Sequence, residues 1–422
     1  MIRPPLEVAD MVRTYGPAFV ERHRRWLTLL HLKVLRAIAA CRTAALGGHL
    51  QQCDGCGQQA ISYNSCLNRH CPKCQAAARQ LGLAERSAEL LPVPYYHVVF
   101  TLPHLLAPLA LQNKALLYGL LFRAAAETLL QIAADPKHLG AEIGFLAVLH
   151  TWGQTLLHHP HVHCVVPGGG LSPDHRRWIA CGRKFFLPVQ VLSLVFRGKF
   201  LAALQRAFRK HQLTLAGQLA PLQSPPAFAA LLRTAAQRNW VVYAKRPFAG
   251  PAQVLTYLSR YTHRIAIANS RLISMTEGRI SFRWRDYAHD HQTRTMTLDV
   301  HEFLRRFLLH VLPAGFVRIR YFGLLANRHR TQFLNLSRSH LRASSPPPLA
   351  SCLAHLCQYC RHGVMRVIEV LSPTRLSTWL ADAPQPENSL ECTPKVRQQI
   401  KGPATLNGGE LCWCPDNSIP VN

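Results

Sequence analysis

The sequence predicts a mixed α+β sheet domain standing behind a metal-binding N-terminal module. Short β-branched and aromatic runs alternate with apolar helical periodicities, without a regular strand–helix–strand rhythm. Six of the fourteen cysteines crowd into the interval from Cys41 to Cys74. A hydrophobic share of 48% over 422 residues supplies a sizeable core, and a charged share of 17% excludes overall disorder. The length corresponds to roughly two to three domains.

The elements follow in order. Residues 8–40 read as helix, with Pro17 near a start and Phe19, Trp26, Leu27, Leu30, Val34, Leu35 and Ile38 recurring at three- and four-residue steps. Residues 41–74 are loop-like, and Gln75 to Leu90 read as a short helix. Leu91-Pro92-Val93-Pro94 punctuates the chain at an expected domain boundary. Tyr95 to Leu102 reads as a strand, residues 104–134 as a long helix, and Ile143 to Thr151 and His161 to Val166 as strands. Trp178 to Phe186 extends the sheet, residues 189–237 are helical, and Trp240 to Ala244 is a short strand. A helix follows Pro251. Residues 271–300 read as short strands turning at Glu277-Gly278 and Asp290-His291, before a helix over 301–312. Ser344-Ser345-Pro346-Pro347-Pro348 reads as a linker, and the chain beyond Pro384 as a loose tail.

The net charge is +28. Such a surplus points to a polyanionic partner, nucleic acid first. It is carried mainly by arginine: no lysine occurs between Lys245 and Lys395. Guanidinium forks match phosphate oxygens and stack on bases, which suits single-stranded DNA. The apolar run Leu105 to Leu130 is interrupted by Lys114, Arg123 and Glu127, so no membrane span is expected. The first residues lack an apolar signal core, so a cytoplasmic location is expected. In a reducing compartment, clustered cysteines read as metal ligands before disulfides.

Three constellations carry chemistry. Cys53-x-x-Cys56 and Cys71-x-x-Cys74 each place two thiolates within one turn, and two such knuckles complete a structural Zn²⁺ shell. Cys41, His49, Cys66 and His70 stand nearby and leave a second site or an exchange of ligands open. His161-Val162-His163 puts two imidazoles on one face of a strand, able to share a metal ion while Val162 packs behind them. Tyr257 and Tyr261 lie four apart on the expected helix, so both phenols share a face, with Arg260, His263 and Arg264 around them. Cationic neighbours favour phenolate and hold phosphates.

Together these features resemble the two-tyrosine HUH transposases of rolling-circle insertion sequences. Asn64 to Cys74 is similar to that family's zinc segment, and Phe100-Thr101-Leu102-Pro103 to its first strand end. His150-Thr151-Trp152-Gly153 with His159 to His163 is similar to its metal strand pair, and Tyr257 to Arg264 to its nucleophile helix. The likeness runs from about residue 20 to 335; beyond residue 350 stands Cys357-x-x-Cys360 with no evident partner knuckle. The resemblance implies an HUH-endonuclease-like antiparallel sheet flanked by helices. It implies that a tyrosine attacks a phosphate of single-stranded DNA at transposon ends and target, giving a 5′-phosphotyrosine and a free 3′-OH. Mg²⁺ or Mn²⁺ would be held by His161, His163 and a third ligand, Gln154 being expected and His150 the alternative. One tyrosine would cleave and the other pass the strand on.

The expected organisation is a helical and zinc-binding domain over 1–90, a catalytic domain over 91–310, a basic extension over 311–345, and a linker and tail over 346–422. Two other readings remain open at this level. One is a zinc-ribbon DNA-binding regulator without catalysis, which has no need of Tyr257 or Tyr261; the other is a metallohydrolase built on the histidine pair, which forms no covalent DNA adduct.

Overall fold

The computed structural model describes residues 6–75, 89–182, 187–248, 265–286, 289, 292–343 and 356–373. They fall into two units. Among the described residues, the larger runs to Cys41 and resumes from Ser65 to residue 343; the smaller combines Arg42–Asn64 with residues 356–373.

The larger unit opens on the helices Val8–Arg22 and Leu29–Ala40. The single helix expected over 8–40 is therefore two, and Pro17 lies inside the first rather than at a start. The second helix begins where the Thr28 hydroxyl accepts the His31 amide N–H, a local N-cap that overrides the continuous apolar periodicity. Residues 76–88, which carry most of the helix expected over 75–90, lie outside the described residues.

The architectural centre is a five-stranded antiparallel sheet. Its strands are β3 (Tyr95–Thr101), β4 (Gly144–Trp152), β5 (His158–Pro167), β8 (Val242–Phe248) and β12 (Ile319–Gly323), in spatial order β12-β4-β5-β3-β8. The smaller unit carries β1 (Gly48–Cys53), β2 (Gln59–Tyr63) and β13 (Met365–Leu371), ordered β13-β1-β2. A two-stranded ribbon pairs β6 (Gly169–Leu171) with β7 (Trp178–Ala180). A three-stranded meander joins β9 (Leu272–Thr276), β10 (Arg279–Asp286) and β11 (Gln292–Asp299) through the expected turn at Glu277-Gly278, where both residues have positive φ.

Strand alternation sorts the central sheet. Val98, Phe100, Phe145, Ala147, Leu149, Val162, Cys164 and Val166 face one way into the main core. The helices Lys114–Ala134 and Val189–Arg209 cover that face, and Phe196 lies 5.0 Å from Phe100 between ring centres. Helix Lys114–Ala134 is long and apolar enough to cross a membrane, but Leu117, Tyr118, Leu121, Phe122, Ala125 and Leu129 are buried in this core. The opposite face carries Leu146, Val148 and Val165, packed with Leu334 of the helix Arg330–His340.

Two expected boundaries change. The extension over 311–345 contains β12, which pairs with β4 from Ile319↔Val148 to Gly323↔Gly144 and so belongs to the central sheet. Its pattern is half-buried and interrupted by arginine, as an edge strand allows. The tail over 346–422 contains β13, paired with β1. The strand expected to run to Phe186 stops at Ala180, and residues 183–186 lie outside the described residues. The region 189–237 is broken by a 3₁₀ turn over Gly217–Gln223 before the helix Pro225–Gln237.

Gly323 ends β12 at φ +59°, and a Cβ there would meet the Ile143 carbonyl oxygen at 2.0 Å. Gly119, on helix Lys114–Ala134, has open space around its Cα. Gly323→Ala should therefore destabilise by about 2 kcal/mol or more from left-handed strain and overpacking. Gly119→Ala should be neutral or stabilising by up to about 1 kcal/mol. Thermal melts of the two variants check this; equal midpoints would contradict the packing described.

Candidate metal centres

The central sheet places three imidazoles together. His161 and His163 share the face of β5 that Val162 does not, and Val162 is fully buried in the core behind them. His150 of β4 pairs directly with His161. A register shift in β4 between His150 and Trp152 lies beside this pair, the kind of irregularity that re-aims a side chain. The His150 ring centre lies 4.2 Å from that of His163 and 5.5 Å from that of His161. One ligating nitrogen from each ring falls within 4.8 Å of the others.

Hydrogen bonds hold both rings and fix the tautomer of His161. His161 donates from Nδ1 to the His159 carbonyl at 2.7 Å, which leaves the lone pair on Nε2. His163 Nδ1 lies 2.8 Å from His97 Nε2, and the two rings stack with centres 5.0 Å apart. A donor on the non-ligating nitrogen is the usual way a protein orients a histidine for a metal. Burial pushes both His161 and His163 well below the ordinary imidazole range, and His163 and His97 respectively add to this. Both rings are therefore neutral at pH 7, the form that ligates a divalent cation. The donor set fits an ion with open positions, since three nitrogens leave room for phosphate oxygens.

The expected third ligand, Gln154, sits in the turn between β4 and β5, and the side chain beside the histidine pair is His150. That turn is clamped by its backbone: Arg271 donates to the Gln154 carbonyl, Arg306 to that of Thr155, and His310 Nε2 to that of Leu156. His97 was legible in the sequence only as part of a strand, because its approach to His163 depends on cross-strand register. Tyr257, Tyr261, Arg260, His263 and Arg264 lie outside the described residues.

The cysteines divide differently from the expected set. Cys53, Cys56, Cys71 and Cys74 fall into two separate cysteine groups. Cys71 and Cys74 gather with Cys41 and Cys66 in the larger unit, whereas Cys53 and Cys56 belong to the smaller one. The first knuckle is the turn of the β1–β2 hairpin, and only β2 lies between it and the second knuckle in sequence. Cys74 Sγ lies 3.6 Å from Cys41 Sγ and 3.5 Å from Cys66 Sγ. Four sulfurs at about 2.3 Å from a tetrahedral zinc stand about 3.8 Å apart, so this group fits Zn²⁺ closely. Hydrogen bonds from Cys41, Cys66 and Cys71 pull the Cys74 thiol far down, while Cys66 and Cys71 are pushed up. One thiolate is thus sustained by its neighbours, and full ionisation of the group calls for a cation. His70 is engaged elsewhere: its Nε2 accepts the Leu312 amide N–H at 3.1 Å.

Residues 144–332 match the family profile described as "Putative transposase", and residues 11–102 match that described as "Transposase zinc-binding domain" of the IS91 type. The chain is 53% identical to "Putative transposase y4qJ" of Sinorhizobium fredii over 88% of its own length and 96% of that protein. The chain belongs to the IS91-type transposase family. It is also 30% identical to "Transposase for insertion sequence element IS801" of Pseudomonas savastanoi pv. phaseolicola, over 76% of each chain. No solved structure matches it. The zinc-binding profile spans both knuckles of this transposase, and the transposase profile spans all three histidines.

Replacing one thiolate of the first cysteine group should release its ion and loosen the region around it. A Cys71→Ser variant of the full chain should lose one equivalent of zinc by elemental analysis relative to the parent. Unchanged zinc content would remove Cys71 from the ligand set.

Proposed function

We propose that this IS91-type transposase nicks and rejoins single-stranded DNA at the ends of its element, through a 5′-phosphotyrosine, to drive rolling-circle transposition in the cytoplasm. The observation that carries this reading is the buried trio of His150, His161 and His163 on adjacent antiparallel strands. A zinc-ribbon regulator has no use for three buried imidazoles that converge, and burying them without a cation stabilises nothing.

His161 presents its Nε2 lone pair, and the Nδ1 partners of His161 and His163 hold both rings still. Mg²⁺ or Mn²⁺ bound there would polarise the scissile phosphate and stabilise the charge that develops on its oxygens. The phenol oxygen of Tyr257 or Tyr261 attacks phosphorus, a P–O bond to the tyrosine forms, and the bond to the 3′ oxygen breaks. The phenolic proton leaves, the departing 3′ oxygen takes up a proton, and the 5′ phosphate stays on the protein. The second tyrosine can repeat the attack on another strand, so the phosphodiester energy is conserved rather than lost to hydrolysis. Arg260, His263 and Arg264, adjacent in sequence, supply positive charge for the flanking phosphates. The overall charge of +28 supplies sequence-independent DNA affinity.

Two measurements test this. Incubated with labelled single-stranded DNA from the element's ends and Mn²⁺, the parent should give a covalent adduct on a denaturing gel. Tyr257→Phe/Tyr261→Phe should bind the same DNA and give none; an adduct mapped by mass spectrometry to another residue would overturn the assignment. His161→Ala and His163→Ala should each lower cleavage at least about 100-fold, in the range expected for losing a metal ligand, while DNA affinity changes less than about threefold. Full cleavage by the double alanine variant would exclude the histidine site.

A further inference from the structure

Cys357-x-x-Cys360 has no partner knuckle near it in sequence, but it has one in space. Cys53 Sγ lies 3.6 Å from Cys360 Sγ, and Cys56 Sγ lies 3.8 Å from Cys357 Sγ, although each pair is more than 300 residues apart in the chain. All four sulfurs fall within 4.8 Å of one another. We propose that Cys53, Cys56, Cys357 and Cys360 form a second Zn²⁺ site, a split ribbon that ties the chain after residue 355 to the loop between Cys41 and Ser65. This goes beyond the strand-transfer reading and does not depend on it.

The backbone of the two knuckles argues for a metal independently of the sulfur distances. Both turn in the same way. The Gly57 amide donates to the Cys53 carbonyl at 3.1 Å, and the Arg361 amide to the Cys357 carbonyl at 2.9 Å. The residue after each second cysteine is left-handed, Gly57 at φ 72° and Arg361 at φ 64°. A left-handed arginine is costly, and it persists here because the knuckle geometry imposes it. Amide N–H groups point at sulfur in both halves: Gly55 to Cys53 Sγ at 3.4 Å and Gly363 to Cys360 Sγ at 3.3 Å. Such bonds stabilise thiolate over thiol. Gly363 has no room for a side chain, since the position a Cβ would occupy lies almost on Cys53 Sγ.

A disulfide explains this arrangement less well. Sulfurs 3.6 and 3.8 Å apart are spaced as about 3.8 Å predicts for a zinc tetrahedron, and well beyond the roughly 2 Å of an S–S bond. Four protein thiolates leave no open position, so the ion is structural. It fastens the pairing of β1 with β13, which runs from Gly48↔Leu371 to Cys53↔Met365 and buries little apolar surface beyond Leu50 and Leu371. The zinc-binding profile ends at residue 102, so half of this site lies outside it.

The test uses the full chain purified under reducing conditions with zinc in the medium. The parent should carry two equivalents of zinc, and Cys357→Ser/Cys360→Ser should carry one. A parent with one equivalent, or a double variant that keeps two, would overturn the proposal. Because the variant can misfold, the parent is also treated with N-ethylmaleimide and mapped by mass spectrometry. Cys357 and Cys360 should be protected, and become labelled at least tenfold faster after chelation. Equal labelling with and without chelator, or a mass deficit of a disulfide under reducing conditions, would reject the site.

Discussion

The two-residue alternation of β5 is the constraint from which the catalytic architecture follows. Val162, Cys164 and Val166 must face the helices that close the main core, and His161 and His163 are thereby committed to the other side of the sheet. A slip of one residue would bury two imidazoles among leucines and phenylalanines and expose three apolar side chains. The core therefore enforces the register, and the register sets which neighbours the histidines meet: His150 across from His161, and His97 diagonal to His163. The clamped turn at Gln154 to Leu156 fixes the end of the same hairpin. The histidine face is assembled by strand register, with the hairpin turn held by backbone hydrogen bonds.

The positive charge is not all available to DNA. Arg69 donates to the carbonyls of Pro313 and Phe316, Arg271 to those of Gln154 and Arg283, and Arg306 both to Thr155 and to the carboxylate of Glu302. Arg320 lies over Phe122 and Phe316. Guanidinium is well suited to these roles, because one side chain can satisfy two carbonyls that would otherwise be buried without donors. Arginine in this chain therefore also does structural work, and bulk charge overstates the number of groups free to meet phosphate.

Much of this was legible in the sequence. The strand character of residues 95–101 and 144–152, the shared face of His161 and His163, and the burial of Val162 follow from alternation and β-branching alone. The cysteine grouping was not legible, since the first knuckle is the turn of a hairpin whose strand β1 pairs with residues 365–371, and this brings a knuckle from the far end of the chain to it. β12 was hidden because Ile319 to Gly323 mixes arginine with aromatics, and an edge strand needs no continuous apolar face. His97 gave no signal at all: a histidine inside an apolar run acquires meaning only when the neighbouring strand brings another to it.

The split ribbon also has a consequence in time. Cys56 and Cys357 are 301 residues apart, so the ribosome must finish nearly all of the larger unit before the ribbon can close. At about 5–20 residues per second, the first knuckle waits roughly 15–60 s for the second. During that interval two thiols stand unligated beside four others that form a complete set within the first 74 residues. The nascent chain thus faces a choice among cysteines, and its outcome depends on Cys41, Cys66, Cys71 and Cys74 capturing zinc first.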